Sequence, residues 1–149
     1  MKNKNNLKWL SGMAFIEAVI ALLILLYRDS ILAEGFTGII VQGLAVLLWI
    51  WARITFGKRS FNVTADPTEG GLVTHGPYRY FRHPIYAAII YFMWAGVLTH
   101  LMLVNLILGF AATVGLLIRI FAEETLLAET YPEYEDYAEK TKRIIPFIF

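Results

Sequence analysis

The sequence predicts an all-α integral membrane protein. It has four transmembrane helices, the third and fourth forming a helical hairpin, and then a C-terminal cytoplasmic amphipathic helical segment. Three observations predict this. Of 149 residues, 58% are hydrophobic and 17% charged, with mean hydropathy +0.57, whereas a soluble domain carries about 25% charged residues. The apolar residues come in long blocks rather than in an amphipathic rhythm. Lysine and arginine cluster in alternate connections, as the positive-inside rule predicts.

The first block runs from Trp9 to Tyr27, broken only by Ser11, Gly12 and Glu17. Lys2, Lys4 and Lys8 precede it as in a signal peptide, but the run exceeds the usual apolar core of such a peptide and no small-x-small site closes it, so it is expected to stay in the mature protein. The second block, Phe36 to Ile54, and the fourth, Leu101 to Phe121, also meet the ~20 residues a helix needs to cross ~30 Å of hydrocarbon. The third, Ile85 to Leu98, is short unless its helix starts at Pro84 and runs past Thr99-His100 to a turn near Asn105. Asp66 to Gly71 reads as a turn from its Asp-Pro and Gly-Gly content. Beyond Arg119 the fourth helix continues as an amphipathic extension that Pro132 should interrupt. Glu133 to Lys140 reads as a further short helix, and the apolar tail from Ile144 is expected to fold back.

Lys2, Lys4, Lys8, Lys58, Arg59, Arg79, Arg82, Lys140, Lys142 and Arg143 fall on one side, leaving Arg28 with Asp29 and Glu34 on the other. This predicts a multi-pass protein of the cell membrane with both termini cytoplasmic. The absence of cysteine excludes disulfides and thiolate chemistry, and a net charge of +1 predicts no nucleic-acid partner. His75, His83 and His100 do not make a haem or zinc site by their spacing, so no metal is expected, and no phosphate-binding or dinucleotide fingerprint is present.

Three groups of residues can carry chemistry. Gly76 to Tyr86 holds two arginines, a histidine and four aromatic rings in eleven residues. It reads either as an interfacial anchor or as a ligand site. His83, before a helix-starting proline and one turn from Tyr86, is a polar pair that anchoring does not need. Arg119 and Glu123 are i,i+4 partners, by themselves a surface ion pair worth less than ~1 kcal/mol. Glu124 points about 100° away, toward solvent. Glu17 lies mid-membrane beside Ala14, Ala18 and Ala21, a small-residue face suited to close packing. It reads as structural glue with Gln42 as its expected hydrogen-bond partner, or else as part of a polar pathway.

The run Leu72-Val73-Thr74-His75-Gly76-Pro77-Tyr78-Arg79-Tyr80-Phe81-Arg82-His83-Pro84-Ile85-Tyr86, then Glu123-Glu124-x-x-Leu127, Tyr131-Pro132-x-Tyr134-x-x-Tyr137 and Ile145-Pro146-Phe147, resembles the isoprenylcysteine carboxyl methyltransferase family, which is related to the membrane phospholipid N-methyltransferases. The resemblance covers about half the chain, from Leu72 to Phe149. It implies one membrane methyltransferase domain over 1–149, with two N-terminal helices in 1–55 and the cofactor-binding and catalytic region in 56–149. It implies S-adenosyl-L-methionine as cofactor, held by Gly76, Tyr78, His83, Pro84, Ile85, Tyr86 and Tyr91 in a cytoplasmic pocket roofed by the C-terminal segment, and Arg82 joins this set as a candidate carboxylate partner. Arg119 and Glu123 are implied on the acceptor side, and Glu124 beside them is a further catalytic candidate. The spacing Tyr131-Pro132-Glu133-Tyr134 departs from the family's Phe-Gly pattern and shifts the register of the C-terminal contacts.

The residue chemistry agrees. Tyr78, Tyr86 or Tyr91 can face a sulfonium through cation–π attraction, worth roughly 0.5–2 kcal/mol, and Arg82 or His83 can hold a carboxylate. A carboxylate acceptor needs only a guanidinium, Arg119, to orient it. An amine acceptor needs a general base, Glu123 or Glu124. The expected partners are the bilayer and a lipophilic acceptor, first an isoprenylcysteine-like carboxylate. The alternatives are a phospholipid amine, a small thiol, or a non-catalytic membrane subunit or carrier.

Overall fold

The computed structural model describes residues 2–57 and 71–145. Among these, all regular structure is helical apart from a single parallel bridge between Phe81 and Lys142. The expected turn at Asp66 to Gly71, like Lys58, Arg59 and the end of the apolar tail, lies almost wholly outside the described residues.

Helix α1 spans Lys2–Tyr27. Its end is set by Asp29, which adopts the left-handed conformation (φ 51°), so that Ser30 N–H reaches Leu25 O and Asp29 N–H reaches Leu26 O. This paired closure stops a helix that the apolar sequence alone would continue. Helix α2 spans Gly35–Phe56 and ends at Gly57 with φ 67°. A 3-10 turn at Gly76–Arg79 precedes α3, Pro84–Thr99, in which proline takes the first position where its missing N–H costs nothing. Helix α4 spans Leu103–Thr130 and α5 Tyr134–Lys140. The chain leaves the helix at Tyr131, just before Pro132.

Among the described residues, three helices, α1, α2 and α4, are long and apolar enough to cross a membrane. The third block does not run to Asn105. Helix α3 stops at Thr99, and its 16 residues give a rod of ~24 Å. The turn instead falls at His100 to Met102, where Asn105 Nδ2, from the first turn of α4, donates to His100 O (2.9 Å) and satisfies the carbonyl that the ended helix leaves bare.

α4 packs most extensively against α1, and α3 against α2. Lys4 meets Glu129 at 2.6 Å, while Ala14 and Glu17 lie against Gly115, so α1 and α4 run antiparallel. A common core joins Ala18, Ala21 and Leu25 to residues of α3 and α4, among them Met93, Val97 and Leu116. Large apolar side chains such as Ile16, Leu23, Leu47, Ile107 and Phe110 point outward. That is the inverse of a soluble bundle, and it is what a hydrocarbon surround demands. Close approach rests on small residues, because lipid supplies no hydrophobic drive between helices.

The expected Glu17–Gln42 bond does not form. Gln42 donates to Ile31 O (2.7 Å) and Phe92 O (3.0 Å) and accepts from Ala33 N–H. Glu17 is exposed and lies across Gly115. The physical reason is adjacency: α1's main partner is α4, so similar depth in α1 and α2 does not bring the two side chains together.

At the end of the bundle away from His83, polar groups tie the α1–α2 connection to the α3–α4 turn. Arg28 donates to Asn105 Oδ1 (2.9 Å), His100 Nε2 lies 2.9 Å from Leu32 O, and Glu34 N–H donates to Thr99. Gly96 sits beneath this seam, where a Cβ would come within 2.2 Å of Ile31 O, a backbone atom that cannot swing aside. Gly96→Ala should cost about 1–3 kcal/mol through overpacking, read as a lower unfolding midpoint in detergent. Gly43→Ala, at a position with open space around the added carbon, should leave that midpoint in place.

Candidate active site

The polar run is seated on the end of α2. Gly76 has φ 60°, and a Cβ there would meet Thr55 Oγ1 at 2.6 Å, so the chain can press against α2 only as glycine. Pro77 is buried in the turn, and the Tyr78 ring is tilted against Phe56 at 5.4 Å. Tyr137, from α5, donates to Tyr78 O (2.7 Å). Burial pushes the phenols of Tyr78, Tyr134 and Tyr137 above their ordinary range, so all three stay neutral. Arg79 and Tyr80 face outward, as an interfacial anchor would.

His83 immediately precedes α3 and is buried, and its ring stacks on Tyr86 at 5.8 Å. Tyr86 then links α3 to α4. Its hydroxyl donates to Glu123 Oε1 (2.6 Å) and accepts from Arg119 Nε (2.6 Å), while Arg119 Nε is itself 3.0 Å from Glu123 Oε1. The guanidinium lies between two rings, Phe15 of α1 at 4.6 Å and Tyr86 at 5.9 Å. With its side chain 3% exposed, Arg119 is not in a surface ion pair. Its charge is desolvated, and removing either partner would leave a buried ion uncompensated.

Glu124 is not solvated either. It is 9% exposed, accepting from Arg82 Nε on one oxygen (2.8 Å) and from Arg143 Nε on the other (2.9 Å). The expectation of solvent rested on a bare helix end; α5 and the segment after it cover that side and bring Arg143 in. His83 lies between the two carboxylates, Nδ1 3.7 Å from Glu123 and Nε2 3.3 Å from Glu124. Neither approach is aligned as a hydrogen bond, and Nε2 is buried without one among the described residues.

Residues 141–145 run back along the polar segment. Arg82 N–H donates to Lys142 O (2.6 Å), His83 N–H to Arg143 O (3.1 Å) and Lys142 N–H to Tyr80 O (3.3 Å). The Tyr91 hydroxyl donates to Ile144 O. Ile144 is buried in the core cluster, so the tail folds back as expected up to that point.

The structure thus gathers Tyr78, Arg82, His83, Tyr86, Arg119, Glu123 and Glu124 at one end of the bundle. Gly76 and Pro84 serve as backbone fixtures, with Gly76 against α2 and Pro84 buried at the start of α3; Ile85 is half-buried and Tyr91 is engaged by the tail. Sequence reasoning missed Phe15 and the pairing of Arg143. Neither has a spacing signal, since each arrives from a distant part of the chain.

A family model described as phospholipid methyltransferase matches residues 32–134. A probable protein-S-isoprenylcysteine O-methyltransferase from Oryza sativa subsp. indica is 41% identical over 122 residues, covering 76% of this chain and 62% of that protein. The cobalt-zinc-cadmium resistance protein CzcN of Cupriavidus metallidurans is 28% identical over 110 residues (73% of this chain, 47% of that protein). The nickel-cobalt-cadmium resistance protein NccN of Alcaligenes xylosoxydans xylosoxydans is 34% identical over 76 residues (50% and 36%). The chain spans less than two thirds of the length of each of these relatives. No solved structure matches it significantly. The match over most of its length, carried on an all-helical membrane scaffold, makes this chain a member of the phospholipid methyltransferase family.

Proposed function

We propose that this chain is an S-adenosyl-L-methionine-dependent methyltransferase of the cell membrane, acting on a lipophilic acceptor, first of all a carboxylate of the isoprenylcysteine kind. The observation that carries the reading is the Arg119–Tyr86–Glu123 linkage, which fastens the cofactor-side motif on α3 to the acceptor-side motif on α4. The rice relative named for O-methyl transfer supports the carboxylate.

The residues fit such a cofactor. The His83–Tyr86 stack and the Tyr78 ring offer aromatic faces to a sulfonium. For the amino-acid carboxylate His83 is the better candidate than Arg82, whose donors already serve Glu124, Ala138 O and Thr141 O, although His83 Nε2 reaches it only by turning from Glu124, now 3.3 Å away. When bound, S-adenosyl-L-methionine supplies an electrophilic methyl group for in-line displacement. The protein's share is positioning and water exclusion. An acceptor carboxylate is ionised at neutral pH, so Arg119 orients it and Glu123 and Tyr86 fix the guanidinium.

A second reading, an amine acceptor such as a phospholipid headgroup, draws on one observation: the Glu123 side chain is 20% exposed and Arg119 only 3%. The more reachable group of the pair is therefore the base that an ammonium would need.

In this reading α3 is a fourth crossing. A short span is accommodated by local thinning of the bilayer and by the polar seam at its far end. Lys4, Lys8, Arg53, Arg82 and Arg143 at the site end, against Arg28 at the other, support cytoplasmic termini and a cytoplasmic site. The soluble cofactor then enters from water and the acceptor sideways from lipid.

Calorimetry in detergent should show S-adenosylhomocysteine binding, and a folded chain that binds none would overturn the proposal. Arg119→Ala should lower turnover by at least ~100-fold, the scale of losing one preorganised donor, with cofactor affinity little changed. Tyr86→Phe should lower it ~10–100-fold, as one hydrogen bond to charged groups is worth. Radiolabelled transfer to a prenylcysteine analogue, compared with transfer to phosphatidylethanolamine, separates the two acceptors.

A further inference from the structure

The two adjacent glutamates of α4 occupy opposite chemical situations. Glu123 is half-buried, shares one oxygen with Tyr86 and Arg119, and keeps the other 3.7 Å from the nearest His83 nitrogen. Glu124 has each oxygen engaged by a different arginine, with His83 Nε2 as a third neighbour at 3.3 Å. A carboxylate held between two guanidiniums and only 9% exposed is a poor acceptor for a substrate proton.

Its partners are not on α4. Arg82 belongs to the cofactor-side wall and also grips Ala138 O and Thr141 O, both at 2.6 Å. Arg143 belongs to the returning segment, whose carbonyls at Lys142 and Arg143 accept from Arg82 and His83 N–H. Glu124 is therefore the point where α4, the wall and the C-terminal strap of residues 141–145 meet. Without it, Arg82, with its side chain 8% exposed, and Arg143, 29% exposed, would each lose the carboxylate it now meets.

We infer that Glu124 is a positioning residue that binds the strap to Arg82, next to His83, so that it governs cofactor affinity while Glu123 alone serves the acceptor. This rests on the methyltransferase reading for its second half only. The tie between Glu124 and the strap is a property of the chain itself.

The test uses the full chain in detergent. First, with no ligand present, hydrogen exchange at the amides of residues 141–145 should quicken about 10-fold in Glu124→Gln, the effect of losing one charge-assisted hydrogen bond. Arg143→Met should do the same, and the double variant should be no worse than the worse single, since both cut one connection. Unchanged exchange, or strictly additive effects, would overturn the tie. Second, in turnover, KM for S-adenosyl-L-methionine should rise about 10-fold in both variants, far more than kcat falls, and the acid limb of the kcat–pH profile should keep its position. If kcat collapses at unchanged cofactor KM and the acid limb disappears in Glu124→Gln, then Glu124 is the proton acceptor and the inference fails. Should Glu124→Gln not fold, Arg143→Met, altering a partly exposed side chain, carries both measurements. A chain that binds no cofactor would sink the methyltransferase reading and leave the exchange result standing.

Discussion

Charge withdrawn from water at the edge of a bilayer has to be matched within hydrogen-bond distance, and the site end of this protein is organised around that requirement. Among the described residues, Arg119 pairs there with Glu123, and Arg82 and Arg143 pair with Glu124. Each pair joins elements that the chain would otherwise leave separate. Tyr86 extends the first pair to α3, and the backbone of residues 142 and 143 extends the second to the polar run. The cost of desolvation is large for a lone ion and small for a fully satisfied cluster. That asymmetry selects one arrangement of the tail over many.

The apolar part of the fold serves the same end by different means. Ala14, Ala18 and Gly115 let α1 and α4 touch at backbone distance, which sets Phe15 over the Arg119 guanidinium. A larger residue at any of these places would push the ring outward and readmit water to the charge. Helix packing by small residues and the dryness of the site are thus one property seen at two depths.

Much of this was legible in the sequence. Apolar blocks located the spans because hydrocarbon thickness fixes helix length, and Pro84 marked the start of α3 because proline has no N–H to lose there. His83, Tyr86, Arg119 and Glu123 could be read because helical spacing brings them into line within two short segments. Azimuth and neighbourhood were harder. Similar depth linked Glu17 to Gln42 on paper, but depth does not say which helices touch. Glu124 was expected to face solvent because a helix surface, taken alone, does not reveal what will fold back over it. Arg143 is a tail residue whose significance exists only after that return.

The polar seam at the far end has a mechanical consequence. Gln42 is held by three backbone groups, Asn105 bridges Arg28 and His100, and Gly96 leaves no slack beneath Ile31. That end behaves as the joint of a pair of tongs, with α1–α4 as one arm and α2–α3 as the other. Any widening between the arms has to be taken up where they are joined by side chains that can exchange partners. If the proposed methyl transfer to a greasy acceptor holds, its entrance is expected at the tips, beside Tyr86.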